Sequence, residues 1–279
     1  MGIGSLTSDL EITPATAAKL LDDLTAIVAR AAAVILVNPA TTVARRTKDD
    51  QSPVTAADEA SEAVILEECA HVLAGIPIVS EERMTRSAPP PLGRSFVLVD
   101  PLDGTREFLQ GNGEFTVNLA IVTAGAPIAG IIAAPALGLL WRGIVGARAE
   151  RLRLAADGTA GEASQIRTRR WPGADAVAAV SRSHYEASTD SFLQRFAVTK
   201  RESVGSSLKF CRLAEGNVDV YPRLSPTCEW DIAAGHALVL AAGGAMTTPQ
   251  ATPLAYGTSK FLVPGFVAWG DPTQVRKAA

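Results

Sequence analysis

Residues 117–141 contain no charged side chain, and any fold of this chain must take that stretch out of water. Its length alone would suffice to cross a bilayer. Its internal punctuation argues otherwise. Asn118 and Thr123 interrupt the run, Gly125 and Pro127 break it, and Pro135 ends a second apolar stretch. This pattern predicts two buried strands, residues 116–122 and 128–134, joined by a turn. A third strand over 139–145 continues the sheet. The chain has 279 residues, 47% of them hydrophobic and 20% charged, which is ample for one large domain or two moderate ones. A net charge of −3 gives no support for general nucleic-acid binding. Cys69, Cys211 and Cys228 are widely spaced and fit neither a disulfide framework nor a zinc site, which predicts a reducing, cytoplasmic setting. Residues 1–11 lack the basic and apolar regions of a secretory signal.

Upstream, Thr13-Pro14 reads as an N-cap with proline at the first helical position. The helix it opens, over 14–36, carries Leu20, Leu21, Leu24, Ile27 and Val28 at helical spacing. Residues 41–55 read as a polar loop or hairpin, 56–73 as a second helix, and 76–80 as a short strand entering Glu81-Glu82. The three consecutive prolines within 83–93 mark a surface loop. Residues 148–170 lose the apolar pattern, and a domain junction is expected near 150–175. Residues 1–155 would form an α+β domain with most of the functional site, and 156–279 an α/β domain. In that second part, strands are expected at 176–180 and 218–221. Helices are expected at 185–196, 206–216 and 232–242, the last stopped by Gly243-Gly244. The mix of helices and strands reads as an α/β fold class.

The chemistry concentrates where an apolar strand, residues 96–99, runs into Asp100-Pro-Leu-Asp-Gly-Thr105. Two carboxylates beside free backbone N–H groups suit a hard divalent cation on one side and a phosphate on the other. Gly104 lets the backbone approach a ligand closely. Residues 105–109 can begin a helix whose first N–H groups face a phosphate. Three more acids fall at expected element boundaries: Asp58, Glu81 and Asp231. Each alone reads as an N-cap or a solvated turn. Together they form the oxygen-rich set that Mg²⁺ prefers.

With these motifs the chain resembles the Mg²⁺-dependent, lithium-sensitive phosphatases of the inositol monophosphatase superfamily. That family's Asp-Pro-hydrophobic-Asp-Gly-Thr pattern is met at 100–105, its Glu-Glu pair at 81–82, its Trp-Asp step at 230–231 and its Thr-x-x-Asp element at 55–58. Order and spacing agree, from about Thr47 to Gly265. Residues 48–55, 112–118, 181–184, 205–211, 221–223 and 233–236 look closer to the CysQ-type 3′(2′),5′-bisphosphate nucleotidases. Inositol phosphatases carry an acid near Arg223, whereas a cation there suits a second phosphate.

The resemblance implies the layered fold of the inositol monophosphatase and fructose-1,6-bisphosphatase group. It implies that Glu81, Asp100, Asp103, Asp231 and the Leu102 carbonyl hold two or three Mg²⁺ ions, with Asp58 reaching a weaker one. Thr105, with Glu81 or Asp58, would orient and deprotonate an attacking water. Substrate would meet Glu81, Leu102, Asp103, Gly104, Thr105 and Asp231. It would also meet His184, Ser206, Lys209 and Arg223, although His184 could equally be a hydrogen-bonded loop residue, and Lys209 and Arg223 solvated cations. Ser207 is expected beside the substrate as well. The implied reaction is hydrolysis of adenosine 3′,5′-bisphosphate to AMP and phosphate, with 3′-phosphoadenylyl sulfate as a second substrate and a link to sulfur assimilation. Rival readings are a phosphatase for inositol phosphate, histidinol phosphate or fructose 1,6-bisphosphate, or a nucleotide-binding regulator with little turnover. A homodimer, and peripheral attachment to the cytoplasmic face of the inner membrane, are compatible with this reading. His71 and His236 are expected to be packed, and Trp230 to be a core anchor. Cys211 and Cys228 are expected to be buried. Glu229 would either perturb metal affinity at Asp231 or face solvent.

Overall fold

A computed structural model describes residues 10–38, 46–47, 53–182 and 187–278. The first helix, α1 (Pro14–Val37), starts where Thr13 Oγ1 accepts the Thr16 N–H at 3.2 Å. Strands β1 (Arg46–Thr47) and β2 (Pro53–Val54) pair antiparallel, as expected for a hairpin; residues 48–52 lie outside the described residues. Then come α2 (Ala56–Val72), β3 (Ile78–Ser80), the single-turn α3 (Glu81–Met84), β4 (Ser95–Asp103) and α4 (Thr105–Gln110). A run of antiparallel strands follows: β5 (Thr116–Thr123), β6 (Ala126–Ala134), β7 (Leu139–Ile144), β8 (Arg148–Leu154) and β9 (Ala160–Gln165).

The remainder holds β10 (Val177–Ser181), α5 (Ala187–Arg195), β11 (Lys200–Val204), α6 (Leu208–Ala214) and β12 (Val220–Arg223). It continues through β13 (Thr227–Cys228), α7 (Glu229–Ala241), β14 (Ala245–Thr247), β15 (Leu262–Val263), β16 (Phe266–Trp269) and α8 (Val275–Ala278). Among the described residues, β3 to β9 form a seven-stranded sheet in chain order. A five-stranded sheet has the order β11-β10-β12-β16-β14.

Alternation along the strands decides the layering. Val97 and Val99 of β4 pack with Leu24, Ile27 and Val28 of α1 on one face of the large sheet. Phe96 and Leu98 point the other way, into a core shared with Phe210 of α6 and Ile232 and Leu238 of α7. The outer face of the small sheet is closed by Phe192 and Leu193 of α5 with Trp269 of β16. The order is therefore helices, large sheet, helices, small sheet, helix. Trp230 is buried in the middle of it, as is Cys211. The uncharged run is β5, β6 and the start of β7, buried from both sides. No described helix is long and apolar enough to cross a membrane.

Three local expectations are corrected. Residues 148–165 are not patternless but form the β8–β9 edge hairpin, so the large sheet runs past residue 155. Only Ala149, Leu152 and Leu154 of β8 are buried and β9 is mostly exposed, which leaves little apolar signal. The strand expected at 96–99 extends to Asp103. Asp100 pairs with Asn118 and Asp103 with Thr116, three steps against two, so β4 carries a bulge around Pro101 and Leu102. His71 is exposed on α2, not packed. His236 is buried as expected, with Nδ1 2.9 Å from the Tyr256 hydroxyl.

Candidate active site

The β4 bulge lies at the bottom of a cleft of about 230 Å³ between the two sheets. From the first half of the chain the cleft gathers Glu81, Asp100, Leu102, Asp103, Gly104 and Thr105. From the second it gathers Ser206, Lys209, Arg223 and Asp231. Each is delivered by an element end. Glu81 opens α3, and Asp100, Leu102 and Asp103 sit on the bulge. Gly104 takes a left-handed conformation (φ 88°) to turn the chain into α4, where Thr105 stands first and donates its hydroxyl to the Leu102 carbonyl at 3.3 Å. Asp231 lies in the first turn of α7, its Oδ2 accepting from the Cys228 N–H at 3.2 Å and from the Thr227 hydroxyl.

Carboxylate oxygens of Glu81, Asp100 and Asp231 all lie within 4.8 Å of one another. Three converging acids repel, and burial adds to the cost of charging them. Burial, followed by the charge of Asp103, pushes Asp231 up to about 6, against the pull of Thr227 and Arg223. An all-oxygen donor set under this strain fits a hard divalent cation such as Mg²⁺ and suits soft metals poorly. Asp103 stands beside this trio and is held by protein donors. Its Oδ2 accepts from the Ser207 hydroxyl at 2.8 Å, with Thr116 Oγ1 and Asn118 Nδ2 each at 3.4 Å.

Asp58 does not line the cleft. Its Oδ2 accepts from the Thr55 N–H at 2.8 Å and the Thr55 hydroxyl at 2.5 Å, capping α2. One turn further along α2, the Ser61 hydroxyl donates to the Pro101 carbonyl at 2.8 Å and braces the bulge from behind. His184 lies outside the described residues.

Residues 13–275 match the inositol monophosphatase family, a longer span than the motifs alone outlined. The chain belongs to that family. Among its relatives, the 3′(2′),5′-bisphosphate nucleotidase CysQ of Salmonella typhimurium is 40% identical over 228 residues, which are 78% of this chain and 86% of the relative. CysQ of Escherichia coli K12 is 40% identical over 227 residues, again 78% and 86% of the two chains. The structure of CysQ from Bacteroides thetaiotaomicron superposes with a TM-score of 0.71 at 30% identity, covering 89% of this chain and 97% of that one. A Thermotoga maritima IMPase shares the fold, with a TM-score of 0.75 at 22% identity over 93% and 96% of the two chains.

Within this inositol monophosphatase family member, Lys209 is not a solvated helix lysine. It is 4% exposed, and its Nζ donates to the Ser206 carbonyl at 2.6 Å and the Val204 carbonyl at 3.1 Å. The ammonium lies 5.3 Å from the Tyr221 ring centroid. Burial draws its pKa down to about 8, with the Asp103 charge opposing. Arg223 ends β12 half-buried at the cleft wall, its Nη2 3.4 Å from the Pro226 carbonyl. Glu229 does not face solvent. It is fully buried and accepts from the Gly257 N–H, the Thr258 N–H and the Thr258 hydroxyl at 2.7–2.9 Å, tying the 257–258 turn to α7. Ser207 lines the cleft and also bridges its two sides: its hydroxyl accepts from Asn118 Nδ2 at 2.9 Å and shares its proton between Asp103 and the Asp231 carbonyl. Arg106 and Glu107, which also line the cleft, were not singled out by the sequence reading. Their signal is their place directly after Asp-Gly-Thr.

Proposed function

We propose that this protein is a Mg²⁺-dependent 3′(2′),5′-bisphosphate nucleotidase that converts adenosine 3′,5′-bisphosphate to AMP and phosphate. The reading is carried by one arrangement: the acids Glu81, Asp100 and Asp231 share a cleft with the cations Lys209 and Arg223. Such a cleft suits a substrate with one phosphate to be hydrolysed and a second to be recognised. The 40% identity to CysQ nucleotidases supports the same substrate.

Glu81, Asp100, Asp103 and Asp231, with the Leu102 carbonyl, would hold two or three Mg²⁺ ions. Bound Mg²⁺ neutralises phosphate oxygens and makes water a better nucleophile. Thr105 supplies a hydroxyl that orients the attacking water, and Glu81 takes its proton. Water oxygen forms the new bond to phosphorus, the bond to the 3′ oxygen breaks with its electron pair going to that oxygen, and solvent water supplies the proton that makes it a hydroxyl. Arg223 and the Ser206 turn hold the remaining nucleotide, with Lys209 fixing that turn. Asp58 supports the site through the α2 cap. The elements up to β9 and those from β10 onward act as the two sides of the cleft. The sulfated analogue, 3′-phosphoadenylyl sulfate, fits the same recognition and ties the enzyme to sulfur assimilation. We place the protein in the cytoplasm as a homodimer, with peripheral contact to the inner membrane.

A phosphate-release panel tests the reading. Adenosine 3′,5′-bisphosphate should be cleaved with the highest kcat/KM among itself, inositol monophosphate, histidinol phosphate and fructose 1,6-bisphosphate. Preference for any of the other three would replace the substrate assignment, and no turnover of any would favour a binding protein.

A further inference from the structure

The turn that carries Ser206 into the cleft is strained and externally held. Ser206 takes a positive φ of 44°, unusual for a residue with a side chain. Its buried hydroxyl has no protein partner and lies at the cleft wall. Lys209 holds the turn from beneath through its carbonyls. From the other side it is held by Glu114, a residue of the opposite half of the chain. Glu114 Oε2 accepts the Gly205 N–H at 2.7 Å. Its two oxygens form a forked pair with Arg182, each at 2.8 Å, and Arg182 also donates to the Ser203 carbonyl at 2.7 Å.

The backbone of Glu114 is wedged as closely as its side chain. A Cβ on Gly205 would lie 2.9 Å from the Glu114 carbonyl oxygen. A Cβ on Gly104 would lie 3.2 Å from the same oxygen and 3.2 Å from the Ser206 Cβ. Glu114 therefore sits between the turn that presents Thr105 and the turn that presents Ser206. We propose that Glu114 and Arg182 are positioning residues for substrate, a latch that sets the spacing between the Gly104-Thr105 turn and the Gly205-Ser206 turn.

Arg182 is 44% exposed and Glu114 22%, so the pair adds little to stability while still fixing geometry. Loss of the latch should let the Ser206 turn relax toward an unstrained backbone and widen the cleft. Binding of the nucleotide then weakens while the acids on the β4 bulge stay in place. The proposal rests on the nucleotidase reading only for the choice of substrate.

The test compares Glu114→Gln, Arg182→Ala, the double variant and Lys200→Ala in steady-state kinetics. Lys200 is a control of similar exposure that pairs with Asp175 at the far end of β11. Each latch variant should raise KM roughly fivefold, the loss expected for one hydrogen bond of ordinary net strength, with kcat nearly unchanged. The double variant should be no worse than the singles, since the two act as one unit. The thermal midpoint should move no further than in Lys200→Ala. Unchanged KM in both single variants, or effects that multiply in the double variant, would overturn the latch. If wild type prefers another phosphate ester, the nucleotidase reading fails on that result alone, and the same KM comparison is made with the preferred ester.

Discussion

Ser207 Oγ donates to Asp103 Oδ2 at 2.8 Å, joining the start of α6 to the end of the β4 bulge across 104 residues of chain. This bond closes the site. It holds an acid of the first half against a residue that also touches the Asp231 carbonyl. Ser207→Ala should leave the Asn118 amide and the Asp103 carboxylate without their shared hydroxyl, costing about 1–3 kcal/mol in urea unfolding. The Mg²⁺ concentration for half-maximal activity should rise several-fold as Asp103 drifts. A variant with unchanged Mg²⁺ dependence would show that Asp103 needs no such tether.

Asp100→Asn should abolish Mg²⁺-dependent phosphate release while the fold survives. Without divalent cation the variant should be more stable than wild type, because one of three mutually repelling acids becomes neutral. Thermal unfolding in chelator and in excess Mg²⁺ checks both parts: wild type should gain stability from Mg²⁺ and Asp100→Asn should gain far less. Equal gains would remove Asp100 from the metal site.

What could be read in the sequence was what is local. Asp100, Asp103, Gly104 and Thr105 lie within one hexapeptide, which exposes their chemistry, and α1 announces itself by its cap at Thr13. The layered α/β class came with the family resemblance, while the uncharged run by itself gave only paired buried strands. The bulge was hidden, because nothing in Asp-Pro-Leu-Asp says that three residues will face two on β5. Charged edge strands were hidden too, since β8, β9 and β11 bury at most one face. Contacts such as Glu114 with Arg182, or Glu229 with the 257–258 turn, join distant residues of ordinary type. Their partners are chosen by the packing of the two sheets, which a single sequence does not display.

Arg223→Ala should weaken a bisphosphate more than a monophosphate. Arg223 stands at the cleft wall with a long contact to the Pro226 carbonyl and a hydrogen bond with Tyr221, and its five-donor guanidinium still has donors for a ligand. Losing a guanidinium–phosphate contact should lower kcat/KM for adenosine 3′,5′-bisphosphate about tenfold or more. Adenosine 3′-monophosphate, which lacks the second phosphate, should lose less than threefold, within the effect of one neutral contact. Equal losses on both substrates would take the second phosphate away from Arg223.

His236 sets an acid limit to stability that is independent of the catalytic acids. Its ring is buried on α7 against Tyr256, and burial draws its pKa from 6.5 down to about 3. The folded protein therefore keeps this imidazole neutral where the unfolded chain protonates it. The contribution to stability is fully present above pH 6.5 and falls as pH drops toward 3, by about 1.4 kcal/mol per pH unit at its steepest. His236→Gln removes the titrating group while keeping a polar side chain near Tyr256. The variant should be less stable than wild type at pH 7.5, through poorer packing, yet its stability should decline less steeply between pH 6.5 and 4. Urea unfolding across that range measures both slopes. Parallel declines would mean that other buried groups, not His236, take up the protons of acid unfolding.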